Sequence, residues 1–356
     1  MSTYIVTGGA GFIGSHLTDF LIRAGHHVRV VDDLSTGHEE NLDPAAELIE
    51  GDVTDRALMG RVVEGAEGIF HLAAVASVQR SNEDWCGTHR VNQAGTVAVL
   101  DAARAAGGVP VCYASSAAIY GDQGLLAIRE GMRPRPMTAY GVDKLGSEMH
   151  ATVAFGVHGV PTLGFRFFNV YGPRQDPNSP YSGVISIFAA RILAGSTITL
   201  HGDGLQSRDF VHVSDVVRHL VGGMDALRRE PQSLVLNVCT GRGTTIRMLA
   251  ETLGEVAARV PMIQFGPARA GDIRVSLGDP SEAIHVLGLE ARVELPEGLA
   301  TLLPADMRQL MPGLAAQNSR KQPRRPTNIA APGLTGGVAP GVAEVARFVA
   351  KAPTAR

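Results

Sequence analysis

Few cysteines, no marked excess of charge and no long apolar run each remove a class of protein from consideration. The three cysteines among 356 residues show neither CxxC nor metal-ligand spacing, so neither a disulfide framework nor a metal site is predicted. A net charge of −3 gives no basis for nucleic acid as the main partner. No apolar run approaches about 18 residues, and therefore no membrane-spanning helix is expected.

The beginning of the chain also lacks the features of a targeting segment. Residues 1–9 (MSTYIVTGG) contain no basic stretch followed by an apolar stretch, and they begin directly with a strand-like pattern. Scattered cysteines in odd number are typical of a reducing compartment. These features predict a cytoplasmic protein that binds neither a membrane nor nucleic acid.

Short β-branched runs alternate with helical stretches through the first half of the chain. The runs predicted as strands are residues 4–8, 27–32, 68–74, 109–116 and 162–172. Apolar spacing predicts helices over residues 11–24, 88–106 and 140–158. Strands separated by helices indicate a parallel sheet covered by helices on both faces, which is the α/β doubly wound fold class.

A glycine pattern lies between the first predicted strand and the first predicted helix. Gly8, Gly11 and Gly14 form GxxGxxG, in which the glycines permit a tight turn, the approach of a pyrophosphate, and packing of helix on strand. Asp32 ends the second strand, 18 residues after Gly14, where it would accept hydrogen bonds from ribose hydroxyls. Residues 32–41 contain no Arg or Lys for a 2′-phosphate, which predicts NAD rather than NADP.

Asp33 and Asp52 are weaker candidates for the same site. Asp33 is either a cofactor contact or a solvated neighbour of Asp32. Asp52 follows the next predicted strand, where it would either contact the adenine side of a dinucleotide or stabilise a turn.

Three polar residues form a candidate reactive group. Tyr140 and Lys144 lie four apart at the start of a predicted helix and share one helical face, and Ser116 ends a strand 24 residues before Tyr140. Ionising a tyrosine near pH 7 requires a pKa lowered by about three units, or ~4 kcal/mol. The Lys144 ammonium and a positive nicotinamide ring would supply much of that, while Ser116 would hold the substrate hydroxyl.

Together with these residues, several segments make the chain similar to the extended short-chain dehydrogenase/reductase family. HLAA (71–74), RFFNVYGPRQDP (166–177), SRDFVHVSDV (207–216), NVCTG (237–241) and RAGDIR (269–274) resemble its nucleotide-sugar epimerase branch. The resemblance extends over residues 3–303. It implies a Rossmann-type doubly wound parallel sheet with a smaller C-terminal substrate-binding lobe.

The resemblance also divides the chain into three predicted parts. Residues 1–170 would form the NAD-binding Rossmann domain, which the chain can re-enter later, and residues 171–303 the nucleotide-sugar-binding lobe. Residues 304–356 are an atypical tail that is rich in Pro, Ala and Gly and contains a basic cluster at 319–326. This tail is either solvated or an anion-binding arm, and its composition favours the first.

The resemblance assigns NAD and a UDP-sugar to particular residues. NAD would contact Gly8, Gly11, Phe12, Ile13, Gly14, Asp32, Asp33, Asp52, Val53, Leu72, Ala73, Ala74, Tyr140 and Lys144. The UDP-sugar would contact Ser116, Asn169, Arg208, Arg269, Asp272 and Ser276. Arginines suit a diphosphate because they donate hydrogen bonds in pairs, although Arg208 could instead pair with Asp209 or Asp215. Proteins of this branch commonly dimerise through the helices at 88–106 and 140–158, which predicts a homodimer.

Two alanines distinguish between reactions that share a first step. In dehydratases of this family an Asp-Glu pair follows the catalytic Ser or Thr, where this chain has Ala117 and Ala118. Alanine neither donates nor accepts a proton, so dehydration is disfavoured. C4 epimerisation of a UDP-hexose through a transient 4-keto sugar needs no such pair and is the predicted reaction.

The predicted substrates are UDP-glucose and UDP-galactose. Ser276 is small where related proteins carry a bulky aromatic, which makes the N-acetylhexosamine pair a second candidate. Asp176 would repel the carboxylate of UDP-glucuronate, but Arg174 lies close by in the sequence and keeps a UDP-glucuronate 4-epimerase as an alternative. Another NAD-dependent nucleotide-sugar dehydratase or reductase is the remaining enzymatic alternative. A dinucleotide-binding protein without catalysis is disfavoured by the intact Ser116, Tyr140 and Lys144.

Overall fold

The computed structural model of the protein describes residues 1–176, 183–269 and 271–304. Its strands are β1 (Thr3–Thr7), β2 (His27–Asp32), β3 (Glu47–Glu50), β4 (Gly68–His71), β5 (Val111–Ser116), β6 (Thr162–Phe167), β7 (Asn169–Tyr171), β8 (Ile198–His201), β9 (Ser207–His212), β10 (Ser233–Val238), β11 (Gly243–Thr245), β12 (Ile263–Gly266) and β13 (Val275–Ser276). Its α-helices are α1 (Phe12–Arg23), α2 (Arg56–Val63), α3 (Val78–Glu83), α4 (Trp85–His89), α5 (Gly95–Ala105), α6 (Ala139–His158), α7 (Val184–Leu193), α8 (Val213–Arg229), α9 (Ile246–Val256), α10 (Ser281–Leu287) and α11 (Leu295–Ala300). Apart from Pro304, the predicted tail lies outside the described residues.

The main sheet of the described residues has seven parallel strands in the order β10-β6-β5-β4-β1-β2-β3. Alternate residues of the central strand β1 point to opposite faces. Val6 packs with Leu17 of α1 and Leu220 of α8 on one face, whereas Ile5 packs with Val99 of α5 on the other. Apolar layers on both faces confirm the predicted doubly wound α/β fold class.

The predicted elements differ from the structure in two informative places. The predicted helix at 88–106 is α4 and α5 joined by a π-helical turn at Arg90–Ala94. The predicted strand at 162–172 is interrupted at Phe168, whose buried ring packs with Tyr120 and Cys239. β6 therefore stays in the main sheet, whereas β7 leaves it and pairs with β9.

The smaller lobe has its own sheets and core. β7, β9, β11 and β13 form one sheet, and β8 pairs with β12. Phe188 of α7, Leu249 of α9 and Leu299 of α11 pack together with Leu200 of β8. Between these elements the chain returns through α8 and β10 to the main sheet. The division at residues 170 and 303 stays a prediction.

No helix in residues 1–176, 183–269 and 271–304, including the 20-residue α6, is long and apolar enough to cross a membrane.

Candidate active site

The turn between β1 and α1 is built from glycines that leave no room for side chains. Gly8 has a φ of +69°, and a Cβ there would lie 2.7 Å from the Ala73 nitrogen. A Cβ on Gly14 would lie 2.1 Å from the Gly8 carbonyl oxygen. α1 begins after Gly11 without a side-chain cap, so the N–H groups of Phe12, Ile13 and Gly14 are available to an anion. The turn therefore has the shape and polarity of a cradle for a pyrophosphate.

Asp32 lies beside this turn at the end of β2. Its buried carboxylate accepts hydrogen bonds from the backbone N–H groups of Ala10 and Leu34, each at 2.9 Å. Burial raises the pKa of the Asp32 carboxyl, and these backbone hydrogen bonds oppose the rise. Each carboxylate oxygen keeps a further acceptor position. Asp32 is thus placed to accept hydrogen bonds from a ribose bound at the glycine turn.

Asp33 and Asp52 each stabilise a local turn. The exposed Asp33 accepts hydrogen bonds from the Ser35 backbone N–H at 3.0 Å and the Ser35 hydroxyl at 2.6 Å. Asp52 accepts one from the Thr54 N–H and one from Arg90, both at 2.8 Å. Cofactor contacts of these two side chains stay predictions.

The other predicted cofactor residues follow strand ends at the same edge of the sheet. Val53 is buried just after β3 and lies against Gly95, the first residue of α5. Leu72, Ala73 and Ala74 follow β4, where the Leu72 N–H donates to the Thr7 carbonyl at 3.0 Å. The carboxyl edge of a parallel sheet is where ligands of this fold class bind.

The three reactive candidates meet where α6 packs on the end of β5. Thr138 caps the start of α6, which places Tyr140 in the first turn and Lys144 one turn later. The Ser116 hydroxyl lies close enough to the Tyr140 phenol to lower the pKa of that phenol. The Lys144 ammonium donates to the Ala114 carbonyl at 2.8 Å and lies 5.8 Å from the centre of the Tyr140 ring. The structure therefore brings all three predicted residues together.

Burial is the main influence on the charges in this group. It raises the pKa of Tyr140, and the neighbouring Ser116 hydroxyl only partly opposes the rise. It also lowers the pKa of Lys144 to about 8, an effect that the neighbouring Asp143 carboxylate opposes. An amine with this pKa is mostly protonated at pH 7. Lys144 thus brings a positive charge close to the Tyr140 phenol.

His71, which the sequence analysis placed only within a motif, is a buried neutral side chain beside this group. Its ring nitrogens lie 2.8 Å from the Thr7 hydroxyl and 3.0 Å from the Thr96 hydroxyl. Burial, followed by the charge of Lys144, lowers the pKa of His71 to about 3. It therefore connects β1, β4 and α5 without adding charge.

Five of the predicted substrate residues lie on or near the strands β9 and β13. Arg208 is paired in register with Ser276 and forms an ion pair with Asp272 at 2.5 Å. Arg269 and Asp272 line an open pocket of about 280 Å³. Asn169 begins β7, which pairs with β9. The two aspartates considered as alternative partners of Arg208 are engaged elsewhere. Asp209 accepts hydrogen bonds from the Thr240 hydroxyl and the Gly241 N–H. Asp215 accepts them from Arg218 and from the Arg292 N–H.

The same pocket contains polar residues that the sequence analysis did not select. His201, Gln206, Asp203 and Arg274 complete its polar lining, and Arg274 donates two hydrogen bonds to Asp203 at 2.8 and 2.9 Å. Arg274 belongs to the RAGDIR segment (269–274), so that motif could have identified it as a site residue. Among the described residues, no group of three or more His, Cys, Asp or Glu is arranged to hold a metal ion.

The chain is similar to a known family and to proteins of known structure. A family model described as the NAD dependent epimerase/dehydratase family matches residues 4–239. The UDP-glucose 4-epimerase of Mycolicibacterium smegmatis is 38% identical over 305 residues, covering 83% of this chain and 96% of that protein. A crystal structure of UDP-glucose 4-epimerase with UDP-glucose from Thermotoga maritima is 37% identical with a TM-score of 0.81, covering 86% and 99% of the two chains.

A structure of a UDP-N-acetylglucosamine 4-epimerase from Methanobrevibacter ruminantium, in complex with UDP-N-acetylmuramic acid, is also similar. It is 31% identical with a TM-score of 0.80 and covers 85% of this chain and 96% of that chain. The family model spans more than half of the chain, and its residues include the glycine turn, Asp32, Ser116, Tyr140 and Lys144. The chain belongs to the NAD-dependent epimerase/dehydratase family.

Proposed function

We propose that the protein is an NAD-dependent 4-epimerase of UDP-hexoses, with UDP-glucose and UDP-galactose as its substrate pair. The observation that carries this proposal is the placement of Ser116 and Tyr140 beside the buried Lys144, at the sheet edge that holds the glycine turn. The same edge offers Ala117 and Ala118 where elimination of water would need an acid and a base.

The residues of the glycine turn fit NAD. The turn excludes any Cβ at Gly8 and Gly14, its helix N-terminus suits a pyrophosphate, and Asp32 suits a ribose with a free 2′-hydroxyl. NAD, when bound, supplies the chemistry of accepting a hydride from the sugar C4 carbon and returning it. The protein's own groups manage the proton on the C4 oxygen.

Ser116 and Tyr140 handle that proton. The Ser116 hydroxyl orients the substrate C4 hydroxyl, and the Tyr140 phenolate takes its proton in one direction and returns it in the other. Lys144 stabilises the phenolate by its charge. One of its three N–H donors binds the Ala114 carbonyl, and the other two are left for hydroxyls of the nicotinamide ribose.

The nucleotide end of the substrate binds the smaller lobe. Arg208 and Arg269 supply donors to the diphosphate, with Asn169 beside them on β7. Arg208 donates to Asp272 at 2.5 Å and to the Ser207 and Ile273 carbonyls at 2.8 and 2.7 Å, and these bonds orient the guanidinium. The resemblance suggested these residues, and the pairing of β7 and β13 with β9 brings Asn169, Arg208 and Ser276 into one sheet.

UDP-glucuronate is a weaker candidate substrate because the arginine that suggested it is already engaged. Arg174 donates to Asp19 of α1 at 2.8 Å and has a φ of +67°, a strained conformation for a residue with a side chain. Its guanidinium is thus directed to the cofactor-binding helix. The N-acetylhexosamine pair is the better second candidate, because Ser276 leaves space next to Arg208.

We also propose a homodimer and a cytoplasmic location. An exposed apolar stripe on α6 consists of Val142, Met149, Val153 and Val157, and α5, the other predicted dimer helix, exposes Val97. Such a stripe is typical of a protein interface. The three cysteines are unpaired, which suits a reducing compartment.

The cofactor proposal predicts that Gly14→Ala loses NAD. The added Cβ would lie 2.1 Å from the Gly8 oxygen and 2.7 Å from the Gly9 Cα, and both belong to backbone that cannot move without opening the turn. We expect bound NAD per folded protein to fall by about tenfold or more, measured by release on denaturation. The matched control is Gly60→Ala in α2, where a Cβ meets nothing within 4 Å. Full NAD content in the Gly14 variant would contradict the proposal.

The activity proposal predicts that the purified protein converts UDP-galactose to UDP-glucose without added NAD. Tyr140→Phe should lower kcat by about 10²–10⁴-fold, because the proton acceptor is lost, while bound NAD is retained. The conversion is followed by NMR of the two UDP-sugars, which requires no added NAD. The control is Tyr4→Phe, which loses a hydroxyl bonded to Arg228 at the other end of β1. Elimination of water, or consumption of free NADH without C4 inversion, would overturn the assignment.

The substrate proposal predicts that Ser276→Tyr separates the two substrate pairs. A bulky ring should lower kcat/KM for UDP-N-acetylglucosamine by about 10–200-fold relative to UDP-glucose, since it fills the space for the N-acetyl group. Product ratios are read by NMR with both substrates side by side, and Ser276→Ala serves as the control. An equal loss on both substrates would show that Ser276 does not set this preference.

The dimer proposal predicts that Val153→Asp produces a monomer. Val153 is 53% exposed in the middle of the stripe, and a carboxylate there would be buried without a partner in a dimer. Molar mass by light scattering is expected to be that of two chains for the unmodified protein. Met248→Asp, at the 52% exposed Met248 of α9, is the control and should remain a dimer. A monomeric unmodified protein would refute the dimer.

A further inference from the structure

α6 carries a third side chain at the spacing of the two reactive ones. Tyr140, Lys144 and Glu148 are four residues apart and lie on one face of the helix. Lys144 donates to the Ala114 carbonyl at 2.8 Å, and Glu148 accepts a hydrogen bond from Ser115 at 2.5 Å. Two successive turns of α6 are therefore attached to the end of β5, and the turn before them carries Tyr140 beside Ser116.

The Glu148 carboxylate has more hydrogen-bond partners than the Lys144 ammonium. Arg166 of β6 donates to both oxygens of Glu148, at 2.9 and 2.7 Å. Both side chains are 6% exposed, and Arg166 is paired in register with Ser115. The bidentate ion pair thus spans β5, β6 and α6 directly behind Ser116.

Arg166 extends the attachment to the segment that follows Ser116. Its remaining nitrogen donates to the Tyr120 hydroxyl at 2.8 Å and to the Glu130 carbonyl at 2.9 Å. The Tyr120 hydroxyl donates in turn to Asn237 of β10 at 2.7 Å. Residues on both sides of Ser116 are thereby tied to one buried guanidinium.

Stability alone is a weak explanation for such a pair. Replacing a buried ion pair by apolar side chains of similar volume is often neutral or stabilising, because desolvation of two charges offsets their attraction. The geometry, in contrast, restricts sliding of α6 along β5. A displacement of about 1 Å at a reacting group can cost 10²-fold in rate.

We propose that Glu148 is a positioning residue, which through Ser115 and Arg166 fixes α6 against β5 and so keeps Tyr140 in contact with Ser116. The inference rests on the proposed epimerase function. Glu148 contacts neither of the predicted ligands in this assignment. Its effect on the reaction is transmitted by the helix.

The test is Glu148→Gln, which keeps the shape but removes the charge and one acceptor. We expect kcat with UDP-galactose to fall about tenfold or more, KM to change by less than about threefold, and bound NAD to be retained. Amide hydrogen exchange in residues 139–146 should become faster. The matched control is Asp215→Asn in α8, an equally buried carboxylate paired with Arg218 at 2.5 Å, which should lower Tm without changing kcat.

A double variant separates position from stability. Glu148→Met combined with Arg166→Met should be more stable than Glu148→Met alone, because no unpaired charge remains, while kcat stays low. Full kcat in Glu148→Gln or in the double variant, with exchange of 139–146 unchanged, would overturn the inference. An unmodified protein without epimerase activity would refute the proposed function instead, and the exchange measurement would still decide whether Glu148 holds α6.

Discussion

The parallel pairing of β1, β4, β5 and β6 is the constraint on which the whole site depends. Because all four strands run in one direction, their carboxyl ends meet at one edge of the sheet. The contact between Gly8 and Ala73 follows from the pairing of β1 with β4, and the position of Ser116 follows from the register of β5. Residues that are distant in sequence share an edge only through this arrangement.

Three charged side chains are buried behind that edge, and the cation proposed to stabilise the phenolate lies nearest to Tyr140. Lys144 is nearest to Tyr140, and burial brings its pKa to about 8, so it stays cationic at neutral pH while being only weakly solvated. Glu148 and Arg166 lie one turn deeper and neutralise each other. The positive charge that faces the phenol is thereby not cancelled by Glu148, because that carboxylate is already occupied by two arginine nitrogens.

Local patterns predicted those parts of the site that lie within one element or at a strand end. The glycine turn, Asp32 and the Tyr140–Lys144 pair are of this kind, because spacing along a helix or strand determines them. The partner of Glu148 could not be predicted, since Arg166 reaches it only through the register of β5 with β6. Strand-helix alternation predicted the doubly wound sheet but not the break at Phe168, which depends on burial against a separate part of the chain.

The proposed reaction requires unequal restraint at the two ends of the substrate. In the proposed epimerisation, hydride leaves one face of C4 and returns to the opposite face. Because the hydride position and Tyr140 stay in place, the 4-keto hexose has to rotate about its bond to the diphosphate. The structure holds Tyr140 by the attachment of α6 to β5, and it orients Arg208 by Asp272. The side chains proposed to lie around the hexose are small instead, namely those of Ala117, Ala118 and Ser276. A site with a fixed base, a fixed nucleotide anchor and small residues between them permits rotation of the sugar, and this combination favours inversion at C4 over elimination.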